Sequence, residues 1–568
     1  MSNKPQNKSH KLFSIYYEND GFNIKGDKLM GRQAAGWSFL KSIILSKRYK
    51  TLGVYLKNDK QKQLLIDDVK SVLTKDNDTI DLRSFPYMEP NLTAEFGGIQ
   101  FPGPNIIDYA NHRSFFGHER YSLCGITHTT ASYEVMRSFS DLITEPVMPW
   151  DAIICTSQSV FNTANKIIEI KKEFLKNRLD NSQIILPKLP IIPLGLNIEE
   201  FNYTDKYKND SRLKLNIKEN DIVIAYVGRL SFHAKAHHLP MYIALENIAK
   251  NLKKDQKLHL IQTGWFASDF IQNSFVEDSK SVCPSVNCIF LDGRDMTNKD
   301  ITLASADIFM SLSDNIQETF GLTPLEAMAS GIPVIVSDWD GYRSTVRDKE
   351  DGFRVPTYSL SKGFGEELMF NYMMGLIDYD NYIGGTVHKV AVDINKCIEK
   401  LTLLIKDADL RKKLGHNGKQ RSRVEFSWDN ILDQYEDLYE ELNDIRLKTY
   451  NKHINVKKKL LPSNRLDPFL LFSDYPTEII NDNTNFKLSH AISNIELSDI
   501  LDFNSIKYTD QIPDKDELHK VFSLFKENKT MSVKEIITKT EIDRYKVFNI
   551  MVFLLKYGYL EFVGEKDE

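Results

Sequence analysis

Runs of apolar residues about the length of a β-strand alternate with helical patterns over the first 350 residues. The strand-length runs are 11–18, 49–56, 121–127, 151–156 and 189–194, then 221–227, 257–263, 287–291, 307–312 and 333–337. They are continuous and do not alternate with polar residues. A strand reads that way when both of its faces are covered, so the pattern predicts parallel sheets with helices on each side. The series falls into two sets. Ile191-Ile192-Pro193-Leu194-Gly195-Leu196-Asn197 closes the first, and a stretch rich in Asn, Asp and Lys, 198–220, precedes the second. The fold class is therefore α/β, with two Rossmann-like domains facing a cleft. In such sheets a ligand lies beyond the carboxyl ends of the strands.

After residue 425 the pattern changes. SWDNILDQYEDLYEELNDI is an acidic amphipathic helix, and KKKLLPSNRLDP reads as a linker. Towards the end, the spacing predicts a helix, a short helix after Ser532, a turn, a long helix over 543–556, Gly558 and a strand. That order is winged-helix-like. The chain divides into an N-terminal domain 1–197, a second domain 198–425, a helix 426–447, a linker region 448–510 and a small mainly helical domain 511–568. A length of 568 residues is too long for one core and suits two to four domains.

Chemistry concentrates in 311–345, SLSDNIQETFGLTPLEAMASGIPVIVSDWDGYRST. A strand runs into a polar loop, then into a helix starting at Thr323-Pro324 and stopping at Gly331, then into a second strand. At the helix start the N–H groups of Gly321, Leu322 and Thr323 lack intrahelical partners, and the helix dipole favours an anion there. Gly321 lets a phosphate approach without a Cβ in the way. Glu318 and Glu326 flank this cradle. Like charge keeps carboxylates off a phosphate, but each accepts hydrogen bonds from a diol. Phosphates and diols together describe a sugar nucleotide.

The string QETFGLTPLEAMASGIPVIVSD, with its E-x7-E from Glu318 to Glu326, resembles the signature of the retaining glycosyltransferases of family GT4. The resemblance covers roughly 11–447 and implies a GT-B fold. Helix 426–447 is then the segment that crosses back onto the first domain. The second domain is the nucleotide-sugar donor side and the first the acceptor side. It further implies that Glu318 meets the donor sugar, with Phe320, Gly321, Leu322 and Thr323 beside it, and that Glu326 meets the ribose. Gly228-Arg229-Leu230…Lys235 is similar to the family's G-R-L…K-G, with Ala236 in place of the last Gly. Two cations there can hold one diphosphate and neutralise a leaving group. Met30-Gly31 stands where the family has Gly-Gly and brings Gly31 towards the diphosphate. His128, ending the strand of YSLCGITHTT, matches the family's sugar-contacting His. Gly293 and Arg294 fall where the family packs the nucleobase. Ser157 and Asn197 match family positions as structural residues. Asp338-Trp339-Asp340 spells the metal-binding D-x-D of a different glycosyltransferase fold, and here it reads as structural or cleft-lining.

Composition narrows the partners. A net charge of −5 gives no bulk attraction to nucleic acid or anionic lipid. Residues 511–568 hold ten Lys or Arg against eleven Asp or Glu, so the winged-helix-like end lacks a DNA reader's basic face and suits a protein partner or a second copy of the chain. The five Cys are scattered and odd in number, as in a reducing compartment; Cys283-x4-Cys288 has no second pair, so a zinc site is disfavoured. The N-terminus lacks a secretory apolar region, and no run reaches the ~18 apolar residues of a spanning helix. The expectation is a cytoplasmic enzyme, or one held peripherally at the inner face of a membrane. It moves a hexose-type sugar from a nucleoside-diphosphate donor to a glycan, lipid-linked or protein acceptor, and needs no metal or other cofactor. The alternatives are another GT-B enzyme, an epimerase or a phosphorylase, and, further off, a nucleic-acid-binding regulator. Residues 357–390, aromatic and Met-rich, extend a minimal GT4 core; they read as an acceptor or partner contact or as local packing.

Overall fold

The computed structural model describes residues 12–24, 26, 30–73, 80–86, 89–179, 184–449, 466–489, 496–508, 511–527 and 530–563. Two six-stranded sheets form the body of residues 1–460. The first contains β1 (Ser14–Tyr16), β2 (Thr51–Leu56), β3 (Asp81–Pro86), β4 (Gly98–Gln100), β5 (Ser122–Ile126) and β6 (Ala152–Ile154), in the order β3-β2-β1-β4-β5-β6. The second contains β7 (Ile222–Val227), β8 (Leu258–Gly264), β9 (Asn287–Asp292), β10 (Ile308–Ser311), β11 (Val334–Ser337) and β12 (Gly352–Val355), in the order β12-β11-β10-β7-β8-β9. Every pair in both sheets is parallel. Each sheet thus has the doubly wound order, with a switch point between its first and fourth strands, where a crevice opens for ligands. This is the two-sheet GT-B arrangement.

The continuous apolar runs have the expected cause. Along β7, Ile222, Ile224 and Tyr226 enter one core cluster while Ala225 and Val227 enter another, on the opposite face. Three strands of these two sheets escaped the sequence reading. β3 is an edge strand whose side chains are mostly exposed or half-buried, β4 is three residues long, and β12 is a short edge strand carrying Gly352 and Arg354. The run 189–194 is not a regular strand. Pro187, Pro190 and Pro193 remove every third donor, so the segment lies beside β6 through single bridges at Lys188 and Ile191. Residue 11 of the first expected strand lies outside the described residues.

The helix Trp428–Thr449 returns to the first sheet. Its Tyr439 ring stacks on Phe13 at 4.0 Å, and the Tyr439 hydroxyl donates to Gln100 Oε1 at 2.8 Å. Trp428, Ile431, Leu432, Tyr435 and Leu442 are buried with it. Between β12 and this helix, β13 (Thr357–Ser359) and β14 (Val390–Val392) pair antiparallel and carry a hairpin of two helices, Glu366–Met373 and Tyr379–Val387.

Residues 461–568 form a second unit. Helices Lys515–Glu527, Val533–Thr540 and Arg544–Lys556 enclose an apolar core, with a sheet ordered β16-β15-β17 made of β15 (Asn485–Leu488), β16 (Met531–Ser532) and β17 (Leu560–Val563). The linker expected over 448–510 is narrower than that. Phe486, Leu497, Ile500, Leu501 and Ile506 are buried in this same core, so the unit reaches well upstream of residue 511. Of the expected linker segment 456–468, residues 456–465 lie outside the described residues.

One buried pair stabilises the first sheet. Arg113 donates to both oxygens of Asp151, at 2.6 and 2.7 Å, and to the carbonyl of Tyr121 at 2.7 Å. The Asp151 oxygens also accept from the amides of Leu123 and Met148. Neither side chain is exposed. Arg113→Met would leave Asp151 buried with two amide donors and no counter-charge. Chemical denaturation should show a loss of about 3–5 kcal/mol, and a loss under 1 kcal/mol would mean the pair is dispensable.

Candidate functional site

The carboxyl ends of β7 and β10, on either side of the second switch point, form one wall of a cleft of about 500 Å³. From β7 the chain turns at Gly228 and presents Arg229 and Lys235. The Arg229 guanidinium donates to the carbonyl of Ala234 at 2.9 Å, and burial lowers its pKa. Lys235 Nζ is ion-paired with Glu318 Oε2. Next to Gly228, the floor is backbone. A Cβ on Gly264 would stand 2.0 Å from the Gly228 carbonyl oxygen, and one on Gly293 would stand 2.7 Å from the Gly264 Cα. Three neighbouring strands therefore end in bare backbone, a flat surface over which a planar group can lie.

From β10 the loop 312–321 delivers Glu318. Its Oε2 also accepts from the Tyr342 hydroxyl at 3.4 Å, and that hydroxyl is 2.8 Å from Ser311 Oγ. The helix that follows is Leu322–Ala329, capped by Gly321 in the left-handed region at φ 91°. The sequence placed its start at Thr323-Pro324. The actual cap is a glycine with no side-chain hydrogen bond, so nothing competes for the leading amides, and Pro324 has no N–H to leave over. A Cβ at Gly321 would also meet the Tyr342 ring at 2.4 Å. Glu326 projects from this helix. Lys299 Nζ holds its Oε1 at 2.9 Å, while its buried Oε2 has no partner among the described residues.

The first domain supplies the opposite wall. Gly31 begins the helix Gly31–Leu45, and a Cβ there would meet nothing within 4 Å. His128 follows β5. Burial lowers its pKa to about 4, against a smaller opposing effect of its hydrogen bond to the Pro102 backbone, so the ring is neutral at pH 7. The walls touch directly: Thr319 Oγ1 donates to the His128 carbonyl at 2.9 Å.

The cleft gathers Gly31, His128, Arg229, Lys235, Gly293, Glu318, Phe320, Gly321, Leu322, Thr323 and Glu326. Asn197 also lines it, and Ser157 caps the helix Gln158–Arg178. Arg294 is not among the lining residues; its guanidinium grips the adjacent Asp292 at 2.7 Å on the surface, so it does not stack over the floor. Phe320 contributes backbone, because its ring is buried against Phe426. Asp338 pairs with Arg354 at 3.2 Å, and half-buried Asp340 has its pKa raised by desolvation and then by Glu318. No group of three or more His, Cys, Asp or Glu suited to a metal occurs among the described residues. Sequence reasoning missed Lys299, Thr319, Tyr342 and the Gly264 floor. Each acts through a fold contact with no local signature.

Residues 208–368 match the family model described as glycosyl transferases group 1. Over 204 residues, 36% of this chain and 46% of the relative, the sequence is 28% identical to D-inositol 3-phosphate glycosyltransferase of Corynebacterium diphtheriae. Over 68 residues, 12% of this chain and 18% of the relative, it is 43% identical to phosphatidyl-myo-inositol mannosyltransferase of Mycobacterium leprae. The chain thus spans less than half the length of these two relatives. A solved structure, Anabaena Alr3699/HepE in complex with UDP, aligns over 76% of this chain and 100% of that one at 17% identity, with a TM-score of 0.47.

Beside the cleft, burial raises the Asp314 carboxyl to about 7, opposed by the His237 amide that donates to it at 3.1 Å. Between pH 4 and 7 the folded protein therefore keeps a proton that the unfolded chain has released. This group's contribution to stability falls as pH rises through that window. Histidines whose pKa desolvation lowers, such as His128, act in the opposite sense, so the readout is a difference. Asp314→Asn should gain stability relative to wild type between pH 5 and pH 8 in denaturant titrations. Parallel profiles for the two proteins would show that Asp314 is ionised throughout.

Proposed function

We propose that this chain, whose residues 208–368 belong to the glycosyl transferases group 1 family, transfers a hexose-type sugar from a nucleoside diphosphate to an acceptor hydroxyl with retention of configuration. The observation that carries the reading is one cleft lined by an anion cradle, two cations and two carboxylates. The cradle is the start of the helix Leu322–Ala329; the cations are Arg229 and Lys235; the carboxylates are Glu318 and Glu326.

The roles follow from charge and hydrogen-bonding capacity. Arg229, Lys235 and the Leu322 and Thr323 amides take the diphosphate and offset the charge that builds on it as the glycosidic bond breaks. The nucleoside lies over the Gly264 floor. Glu326 Oε2, already oriented by the Lys299 hold on its other oxygen, accepts from the ribose hydroxyls. Glu318 and neutral His128 orient the sugar. When a diphosphate draws Lys235 towards it, the ion pair with Glu318 loosens and frees an oxygen for the sugar hydroxyls. The acceptor attacks from the face that the diphosphate leaves, and a phosphate oxygen takes its proton.

Two experiments test this. Glu318→Ala should cut turnover with an identified donor roughly a hundredfold or more, about 3 kcal/mol of transition-state stabilisation, while circular dichroism stays unchanged. Retention of over half the activity removes Glu318 from the site. Turnover should also persist in excess EDTA, because side-chain cations and a helix dipole meet the leaving group. Complete loss restored by Mg²⁺ or Mn²⁺ would return Asp338 and Asp340 as ligands.

A further inference from the structure

The hairpin between β13 and β14 is built unlike the rest of the fold. Among described helices of eight or more residues, Glu366–Met373 is the one with no buried residue. Yet it and its flanks are apolar. Phe364 is 69% exposed, Met373 67% and Leu376 69%, and Met369, Phe370 and Met374 are each more than half exposed. Six exposed apolar side chains within residues 364–376 are a concentration that a soluble domain rarely leaves uncovered.

The face is anchored at the mouth of the cleft. Tyr372 on the first helix stacks on Tyr382 of the second at 4.5 Å. The second helix begins at Tyr379, whose hydroxyl donates to Gln317 Oε1 at 3.0 Å and also bonds the Thr129 side chain. Gln317 and Thr129 line opposite walls of the cleft. His233, in the loop that carries Arg229 and Lys235, stands 3.9 Å from Asp380. The hairpin is therefore fixed to the diphosphate end of the site, with its apolar side turned outward.

We infer that this face is an acceptor subsite for the hydrocarbon part of an amphiphile whose hydroxyl reaches the cleft. The inference rests on the transferase reading above and names the acceptor class that reading leaves open. Position favours it, since the helix that carries these side chains stacks through Tyr372 on the helix whose Tyr379 bonds both walls of the cleft. Composition favours it as well. Three methionines among two phenylalanines and a leucine make a polarisable, adaptable surface that fits a flexible chain better than a fixed partner. An anionic bilayer is disfavoured, because residues 357–390 carry two Lys against four Asp or Glu. A second copy seated here would cover the entrance that the acceptor needs.

Soluble alkyl glucosides, each kept below its micelle threshold, supply the probe. Methyl, butyl and octyl β-D-glucoside are titrated by calorimetry into the full chain in the presence of whichever of UDP, GDP or ADP it binds. Octyl glucoside should bind at least about tenfold more tightly than methyl glucoside, since each methylene fully buried contributes about fourfold. Phe370→Ser with Met373→Ser should erase that gradient and leave the nucleotide affinity unchanged. Both side chains are exposed, so the fold does not depend on them. A gradient under threefold, or one that survives the double variant, overturns the subsite. A wild-type dimer in sedimentation that the variant dissolves would make the face a self-interface. Phosphatidylcholine vesicles that bind wild type but not the variant, without any glucoside gradient, would make it a membrane contact. Either result overturns the proposal too. Failure to bind any nucleoside diphosphate or sugar nucleotide would count against the transferase reading itself.

Discussion

Everything in the cleft depends on the two places where the chain passes between the domains, and these lie side by side. The chain leaves the first domain at 195–197 and comes back at 426–428. At that point the Leu196 amide donates to the Phe426 carbonyl at 2.8 Å, and Leu196 bridges Ser427. Trp428 closes the joint. Its indole donates to Ser38 Oγ at 2.7 Å, and its ring lies so close to Gly195 that a Cβ there would stand 2.4 Å from it. Two parallel sheets with identical strand order would otherwise share no reason to face each other. Pinned at one joint, they direct the carboxyl ends of both sets of strands into a common space. Hydrogen bonds across the domains then set how far apart the walls stand, among them Thr319 to the His128 carbonyl and Ser159 Oγ to the Asp340 carbonyl, each at 2.9 Å.

Within that space the electrostatics are balanced before any ligand arrives. Glu318 is satisfied by Lys235, and Glu326 by Lys299. Unpaired, either carboxylate would lose several kcal/mol on desolvation, and each has a cation that offsets this. The two pairs differ in a way that suits their tasks. Lys299 is held from behind, over the Phe201 ring at 5.3 Å, and leaves one Glu326 oxygen open. Lys235 stands in the loop that turns at Gly228 into the cleft, so in the proposed reaction its partner can be exchanged for phosphate oxygens.

The legible part of this chain was the part whose reason is local. Most strands of the two sheets announced themselves as apolar runs, because both faces needed covering, and the edge strands β6 and β9 were legible with them. Three were not: β3 has a solvated face, β4 is only three residues long although it lies in mid-sheet, and β12 carries Gly352 and Arg354 in a run of four. Pro187, Pro190 and Pro193 explain the opposite error, an apolar run that cannot form a regular ladder. At the site, Glu318, Glu326 and the Gly321 cradle share a continuous string and could be read together. Arg294 could not be placed, since the competing carboxylate two residues away decides where its guanidinium goes. Residues 480–489 and 496–506 looked like linker because one short strand and one turn of helix carry little periodicity by themselves. They become part of a core only through contact with helices farther along the chain.

The least legible residue is also the one that ties loop to loop. Tyr342 follows β11 and is fully buried beneath Gly321, where its ring forbids any side chain at that position. Its hydroxyl spans Ser311 at the end of β10 and Glu318 in the loop beyond. The backbone repeats the link, with the Gly341 amide donating to the Glu318 carbonyl at 2.9 Å. One aromatic ring therefore sets both the height of the Gly321 helix start and the position of the Glu318 carboxylate. That coupling explains why a glycine caps this helix where Ser, Thr or Asp would be the ordinary choice. A capping side chain would satisfy the leading amides internally and also collide with the ring. The fold has given up the stability of a side-chain cap to keep those amides open to the cleft.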